Sequence, residues 1–356
     1  MNKKILFITY TYLPIIGGIE QNIYKITGFL KKDYDIDIIT KPLKDQKSEE
    51  KIGRANVIRM NFSEFKNYSY EKYDIIIIEN FNIMPHFNVF KKLTILKKLG
   101  KLKARIILVP HGGFTVDWKT FSFLRRTIKK VYNRTKGIYF INNLVDKIIA
   151  VSNWEKEALI KEGINKDIAI IRNGIDEFRN TNKKDNYFIF VGRIDPIKNI
   201  KEIILTFKKI KENPKFADYD LKIIGDYKKN IEYYNFLKEI IKNNNLSNSI
   251  KFLGEKLGNK KIDILSKAKC LICLSKMEND PIVIKEAFSV KTKVLINTNY
   301  GLNDYKNENN IFVKENNDLD TEKLFKFLKK PFINKFKIPL LTWKEVAHEY
   351  QRIFEE

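Results

Sequence analysis

Short apolar runs bounded by turn residues recur along the chain, and longer segments with helical periodicity separate them. Apolar runs of about four to eight residues are typical of strands buried on both faces. In the first half they predict strands at Lys3–Tyr10, Asp35–Thr40, Asp74–Ile78, Ile106–Val109, Asp146–Val151 and Ile168–Ile171. A glycine turn and a helix from Gln21 to about Lys32 follow the first strand. Strand, turn, helix and strand in this order predict a parallel sheet.

The second half repeats this alternation. It predicts strands at Tyr187–Val191, Leu221–Gly225, Ile250–Leu253, Lys269–Leu274 and Lys293–Ile296, with helices at Ile200–Asn213, Ile231–Asn243 and Lys260–Ala268. The polar run Glu177–Asn186 reads as a linker. With 356 residues the chain is long for one domain and natural for two. We therefore predict two doubly wound α/β domains, at 1–175 and 187–340.

The stretch from Ser275 to Glu286 carries the densest candidate chemistry. Its loop ends in Asp280-Pro281, which predicts a helix with Asp280 as N-cap and proline at the first helical position. Two carboxylates, Glu278 and Glu286, flank this junction. Backbone N–H groups at a helix start suit a phosphate, and carboxylates accept hydrogen bonds from sugar hydroxyls. The alternative is a surface loop with two solvated acids.

Other candidates follow predicted strands. Arg193 and Lys198 flank a strand-to-helix turn, where two cations could neutralise a diphosphate; solvated surface charge is the alternative. Gly17-Gly18 would allow backbone amides to approach a ligand, although a plain tight turn fits equally well. His111 ends a strand at the edge where such sheets bind ligands; its alternative is a histidine paired with a backbone carbonyl.

Positive charge is concentrated in the first half. The net charge is +24, and between Asn80 and Val145 fourteen Lys or Arg accompany a single acid. The segment Lys119–Tyr139 reads as a basic amphipathic helix, which predicts contact with an anionic membrane surface or acceptor. The residues proposed for that contact are Arg125, Arg126, Lys129 and Lys130. The alternative is a helix that packs its apolar stripe on its own domain.

Cysteine usage and hydropathy favour a cytoplasmic protein. Cys270 and Cys273 form no disulfide framework, and their spacing has no second pair or nearby histidine to bind zinc. The apolar N-terminal run is short and lacks a small-residue cleavage site, so it reads as a strand rather than a signal peptide. No run of about 18 apolar residues occurs that would predict a membrane span.

Taken together, the order and spacing of these motifs resemble the retaining glycosyltransferases of family 4, which have the GT-B fold. The matching segments are Pro14-x-x-Gly17-Gly18-Ile-Glu20, His111-Gly112, Val151-Ser152-Asn153, Arg172-Asn173-Gly174-Ile-Asp176, Gly192-Arg193-x-Asp195-x-x-Lys198-Asn199, Glu278-x7-Glu286-Ala287 and Thr342-Trp343 to His348. The resemblance implies two Rossmann-like, doubly wound domains facing across a cleft. It places an acceptor site in 1–175 and a nucleotide-sugar site in 187–340, with the terminal helix 341–356 returning to the N-terminal domain.

The resemblance also implies a role for each site residue. Arg193 and Lys198, with the Gly17-Gly18 backbone, would bind the donor diphosphate. Glu286 would take the ribose hydroxyls, and Glu278 the hydroxyls of the transferred sugar. The donor loop would be completed by Asn279, Asp280, Ile282 and Val283. His111 would contact the donor sugar from across the cleft, which makes Glu278 and His111 the predicted catalytic residues. In this family the leaving phosphate is thought to deprotonate the acceptor, so neither a dedicated nucleophile nor a metal or other cofactor is expected.

The function implied is retaining transfer of a hexose-type sugar from a UDP- or GDP-linked donor. The acceptor would be a lipid-linked or cell-surface glycan, met at the inner face of the membrane. Two departures stand beside this reading: Asn279-Asp280 replace the Gly-Phe that usually follows the first glutamate, and Lys291 and Lys293 replace the glycine and proline usual in the segment after the second. An inactive partner of another glycosyltransferase therefore stays open, as does a nucleic-acid-binding protein that uses the basic segment.

Overall fold

In the computed structural model the chain divides into two compact units, residues 1–174 with 341–356 and residues 175–340. The structure describes residues 2–44, 46–81, 85–114, 123–178, 183–315 and 319–356. Each unit contains a predominantly parallel sheet with helices between successive strands, which confirms the predicted α/β class.

The first unit is built on an eight-stranded sheet. Its strands are β1 Lys3–Ile8, β2 Tyr34–Thr40, β3 Glu49–Ile52, β4 Ala55–Arg59, β5 Ile75–Glu79, β6 Arg105–Val109, β7 Lys147–Ala150 and β8 Ile168–Ile170, in the order β3-β4-β2-β1-β5-β6-β7-β8. Among the strand pairings of the described residues, β3–β4 alone is antiparallel. The helices of this half are α1 Gly18–Phe29, α2 His86–Lys98, α3 Phe123–Tyr132, α4 Ile138–Leu144 and α5 Asn153–Lys161. A π-helical turn, Asn133–Gly137, joins α3 to α4.

The strand order of this sheet reverses between β1 and β5. The isoleucines of β5 are buried on both faces of the sheet, and most residues of the neighbouring strands β1 and β6 are buried as well. Ligands of open parallel sheets bind beyond the carboxyl ends of the strands at such a reversal. The residues that leave these strands there include Glu79 at the end of β5 and His111 shortly after β6.

The second unit is built on a six-stranded sheet in the order β11-β10-β9-β12-β13-β14, and its strand pairings are parallel. The strands are β9 Tyr187–Val191, β10 Asp220–Ile224, β11 Ile250–Gly254, β12 Cys270–Cys273, β13 Lys293–Ile296 and β14 Ile311–Val313. Its helices are α6 Ile200–Lys211, α7 Ile231–Asn243, α8 Gly258–Lys267, α9 Ile282–Ser289 and α10 Thr321–Lys329. The order of this sheet reverses between β9 and β12.

The terminal helix α11, Trp343–Glu355, belongs to the first unit. It begins with a capping box in which Thr342 and Glu345 bond each other's backbone N–H. Its buried face includes Trp343, against which Gly174 is so close that a Cβ would lie 2.9 Å from the Trp343 Cα. Tyr350 on the same helix is also buried. None of the helices in the described part of the chain has the length and apolarity needed to span a membrane.

Candidate active site

In the second unit, the reversal between β9 and β12 brings a predicted cation and a predicted carboxylate together. Asp195 accepts a hydrogen bond from the Ile197 N–H at 2.9 Å and so starts a short 3₁₀ turn that ends at Lys198. The Lys198 Nζ lies 2.5 Å from Glu278 Oε1, and Ser275 Oγ donates to the same oxygen at 2.8 Å. Glu278 is therefore held in place by two donors at the carboxyl end of β12.

Arg193, the second predicted cation of this unit, leaves the end of β9 through Gly192. Its side chain is exposed, and it forms no ion pair with any residue that the structure describes. A guanidinium in this state presents a planar fork of donors that matches phosphate oxygens. The geometry is that of a cation available to an anionic ligand.

Glu286 lies one turn inside α9 and is almost completely buried. Its Oε1 accepts from the Nζ of Lys261 on α8 at 2.6 Å. Lys261 was not among the predicted site residues; its position in the first turn of a helix gave no sign of the contact, which spans 25 residues of sequence. The two predicted carboxylates of this unit, Glu278 and Glu286, are thus each paired with a lysine.

Asp280 does not cap α9, so that prediction is wrong. The helix begins at Ile282 with Pro281 in the N-cap position. The Asp280 carboxylate points into the core, where it forms an ion pair with Lys285 and accepts from the Tyr305 hydroxyl at 2.7 Å. Both charged side chains are fully buried. The anion that follows Glu278 is thereby neutralised inside the protein.

The remaining residues predicted for the donor loop lie at the start of α9, and the loop backbone packs against Gly301. Asn279, Ile282 and Val283 are partly exposed where α9 begins. The Gly301 N–H donates to the Glu278 carbonyl at 2.9 Å, and a Cβ on Gly301 would overlap the Asn279 carbonyl oxygen. The backbone of the donor loop therefore rests directly on Gly301. The roles predicted for these residues in donor binding stay predictions.

In the first unit, Gly17 and Gly18 open α1. Gly17 is the N-cap, and a Cβ there would lie 2.5 Å from the Glu20 Oε2, whereas one on Gly18 would meet open space. The buried Glu20 carboxylate accepts from the Thr11 hydroxyl across this turn. A side chain at Gly17 would thus have to displace the Glu20 carboxylate, and the predicted approach of these glycines to a diphosphate stays a prediction.

His111 is held by a carboxylate, so the suggested pairing with a backbone carbonyl is wrong. Its backbone is in the left-handed region at φ 49°, and its Nε2 lies 2.7 Å from the Oε2 of Glu79, which is fully buried. Burial by itself lowers the pKa of His111, but the hydrogen bond and charge of Glu79, with the charges of Glu155 and Glu20, raise it above its ordinary value.

Glu155 fixes the turn that carries His111. Its carboxylate accepts from the Gly112 N–H and, at 2.9 Å, from the Val151 N–H. Ser152 caps α5 by accepting from the Glu155 N–H. Sequence reasoning missed both Glu79 and Glu155. The available signals were an acid that ends a wholly apolar strand and the Ser152-x-x-Glu155 spacing of a capping box.

The basic helix α3 differs in part from its prediction. Lys129 is buried, and burial lowers its pKa to about 8, so it is not a surface cation. Lys130 is exposed and Arg126 partly exposed, while the Arg125 side chain and residues 115–122 lie outside the described part of the chain. The apolar residues of this helix differ in burial. Tyr132 is buried. In contrast, Leu124, Ile128 and Val131 are 69%, 53% and 57% exposed.

No group of three or more His, Cys, Asp or Glu side chains is arranged to hold a metal ion within the described ranges. Cys270 and Cys273 are both buried and unpaired with each other, as strand alternation requires.

Two family models match the chain. The model for glycosyl transferases group 1 matches residues 172–335, and the model for glycosyltransferase family 4 matches residues 16–179. An uncharacterized glycosyltransferase of Methanocaldococcus jannaschii, MJ1178, is 25% identical over 374 residues, covering 97% of this chain and 96% of that protein.

Solved structures share the fold. A glycosyltransferase from Rickettsia africae superposes with a TM-score of 0.74 at 18% identity, covering 99% of this chain and 98% of that one. Anabaena Alr3699/HepE, crystallised with UDP and glucose, superposes with a TM-score of 0.66 at 16% identity, covering 99% and 95%.

Proposed function

This chain belongs to the group 1, family 4 glycosyltransferases and has the GT-B fold, and from that premise we propose that it transfers a hexose-type sugar from a nucleotide diphosphate sugar with retention of configuration. The acceptor we propose is a lipid-linked or cell-surface glycan. The donor would be bound in the second unit by Arg193, Lys198, Glu278 and Glu286, and the acceptor in the first unit.

The observation that carries the proposal is the placement of the Lys198–Glu278 pair at the sheet reversal, with Arg193 leaving the adjacent strand. Breaking the bond between sugar and diphosphate creates negative charge on the leaving group and positive charge on the sugar. Cations fixed beforehand stabilise the leaving group without reorganisation. Glu278, oriented by Lys198 and Ser275, is suited to accept from hydroxyls of the sugar.

Arg193 and Lys198 together supply the charge that a divalent cation provides elsewhere, so we propose transfer without a resident metal. The inward position of Asp280 supports an active enzyme rather than an inactive partner. Its charge is matched by Lys285 and does not oppose a diphosphate near the start of α9. The replacement of the usual Gly-Phe therefore changes the packing beneath the loop. It leaves Arg193, Lys198, Glu278 and Glu286 in place.

A thermal-shift panel with UDP, GDP, ADP and their common sugar conjugates tests the donor site. A ligand at about a hundred times its Kd adds about 2.7 kcal/mol. For a unit of this size that corresponds to roughly 5–10 °C. We expect one nucleotide to respond, and Arg193→Ala to abolish most of that response. Lys335→Ala, which removes an exposed cation elsewhere in the same unit, is the matched control and should respond like the wild type. Silence of the folded wild type across the panel would refute the proposed donor.

Stereochemistry is tested with the donor so identified. An α-linked donor should yield an α-linked product, which the anomeric coupling constants in proton NMR report, and transfer should persist in EDTA. A β-linked product would contradict retention, and loss of transfer that added Mg²⁺ or Mn²⁺ restores would contradict metal independence.

We further propose that α3 contacts an anionic membrane, where a lipid-linked acceptor would be met. Leu124, Ile128 and Val131 follow one another at intervals of four and three residues, so they share one exposed face of the helix. Exposed cations, among them Lys130, accompany this face, and the surrounding segment is strongly basic. Apolar side chains with flanking cations match the interface of an anionic bilayer.

Vesicle sedimentation tests this contact. Binding to vesicles with anionic lipid should exceed binding to neutral vesicles and weaken at high salt. Serine at positions 124, 128 and 131 should reduce binding strongly. Ile160→Ser, at an apolar side chain that is 54% exposed on α5, is the control and should bind like the wild type. Equal binding by both variants, or binding only to DNA or RNA, would contradict the proposed contact of α3 with a membrane.

A further inference from the structure

The turn after β6 holds His111 in a conformation that it would not adopt unaided. A left-handed backbone at a residue other than glycine costs of order 1 kcal/mol or more and persists only where its surroundings enforce it. Here two carboxylates enforce it: Glu155 binds the Gly112 amide, and Glu79 binds the imidazole. A Cβ on the following Gly113 would overlap the Asn80 side chain, which fixes the turn on its other side.

The two ring nitrogens of His111 have different surroundings. Nε2 is bound to Glu79, whereas Nδ1 makes no hydrogen bond to any residue in the described part of the chain. Four ionisable groups face this region from four elements: Glu79 on β5, Glu155 on α5, Glu20 on α1 and Tyr350 on α11. Burial, with the charges of Glu79 and Glu155, raises the pKa of Tyr350 well above its ordinary value, so its hydroxyl stays neutral.

The Glu79 carboxylate can accept a further hydrogen bond besides its contact with His111. Its Oε1 is buried and accepts no hydrogen bond within the described ranges, and the Tyr350 hydroxyl likewise has no partner there. The fully buried carboxylate therefore has one strong partner, the His111 ring. An anion in this position favours the imidazolium form and fixes which nitrogen points inward.

We propose that Glu79 is a positioning residue for sugar transfer, which orients the His111 imidazolium so that Nδ1–H donates to a substrate oxygen that gains negative charge during the reaction. The inference rests on the proposed function. In this role Glu79 acts through His111, which makes a charge-assisted hydrogen bond to the substrate. A neutral histidine, or an imidazole ring in another orientation, would not supply that bond.

Histidine NMR on the full chain tests the pairing directly, because the sequence contains only three histidines, His86, His111 and His348. In the wild type, His111 should stay protonated above the usual histidine range, and Glu79→Gln should lower its pKa by at least about one unit. Glu157→Gln, an exposed carboxylate on α5, is the matched control. Adding the nucleotide sugar, with acceptor, should shift the Nδ1 resonance of His111 and not that of the exposed His348.

The pH profile of kcat/KM separates positioning from a merely structural effect. Its alkaline limb should move to lower pH in Glu79→Gln, and at a pH above both pKa values the loss should be about tenfold for each unit by which the pKa falls. Glu79→Asp should restore part of the shift, and at a pH above the shifted limb His111→Asn should cost little further activity in the Glu79→Gln background. An unmoved limb, an unchanged pKa of His111, or an Nδ1 signal that ignores substrate would each overturn the inference. A wild type silent to every nucleotide sugar would instead refute the proposed donor, while the titration would still decide the pairing of Glu79 with His111.

Discussion

Replacing Lys285 by methionine should destabilise the second unit severely, because it removes the cation that is paired with the buried Asp280 carboxylate. Both side chains of the pair are fully buried, and the Tyr305 hydroxyl also donates to Asp280, at 2.7 Å. Removing one partner of a buried pair costs about 3–5 kcal/mol. For a unit that spans residues 175–340, each kcal/mol lowers the midpoint by roughly 2–4 °C, which gives a total of about 6–20 °C.

Differential scanning calorimetry measures this loss of stability, and two further variants show whether it comes from the buried charge. Lys267→Met removes a pair with Asp263 in which both side chains are about half exposed, and it should cost less than about 0.5 kcal/mol. Asp280→Leu with Lys285→Met and Tyr305→Phe removes the ion pair and the hydroxyl that donates to it together, and it should recover most of the lost stability.

The reasoning fails if Lys285→Met melts within about 2 °C of the wild type. It also fails if the triple variant is no more stable than Lys285→Met, because the cost would then come from lost packing rather than from the unpaired charge. A loop freed from this anchor should also bind donor more weakly, which the thermal-shift panel measures at a temperature where the variant is folded.

Two other perturbations have outcomes that the structure specifies. Gly301→Ala should reduce donor binding at least tenfold, because its Cβ would displace the Asn279 carbonyl. Gly28→Ala, where a Cβ meets open space, should leave both donor binding and the melting temperature nearly unchanged; equal effects of the two variants on donor binding and on melting temperature would contradict this. The stability supplied by the Glu79–His111 pair should be fully present below the unfolded histidine pKa of about 6.5 and be lost as pH rises through the raised folded value. Calorimetry across pH should show that slope in the wild type, and its persistence in Glu79→Gln would argue against the pair.

Buried strands were the most predictable part of the fold. Tyr187–Val191 and Lys293–Ile296 have the predicted bounds. The first is a wholly apolar run between Asn186 and Gly192, and the second has three apolar residues after Lys293 and ends before Asn297. The hairpin of β3 and β4 was missed because β3 is largely polar and lies at the edge of the sheet, where one face need not be apolar. Strand β14, three residues long, is too short to give a pattern.

The site was predictable where local motifs carry its residues and not where distant side chains meet. Lys198 and Glu278 follow adjacent strands, and their pairing follows from sheet topology once both turns are recognised. Lys261 and Glu79 gave no comparable signal, because their contacts with Glu286 and His111 depend on packing between separate elements. Asp280 was misread because Asp-Pro is a strong capping signal in sequence, and the buried amine of Lys285 outweighed it in three dimensions.

The terminal helix has a consequence for synthesis of the chain. It completes the first unit through contacts such as those of Trp343 with Gly174 and of Phe354 with Tyr34, yet it follows the whole of the second unit in sequence. A ribosome that adds about 5–20 residues per second needs roughly ten to thirty seconds to make that second unit. Throughout that interval the nascent first unit keeps an apolar surface that α11 has yet to cover. The second unit can therefore finish folding first, and the first unit should be the part of the nascent chain that chaperones bind.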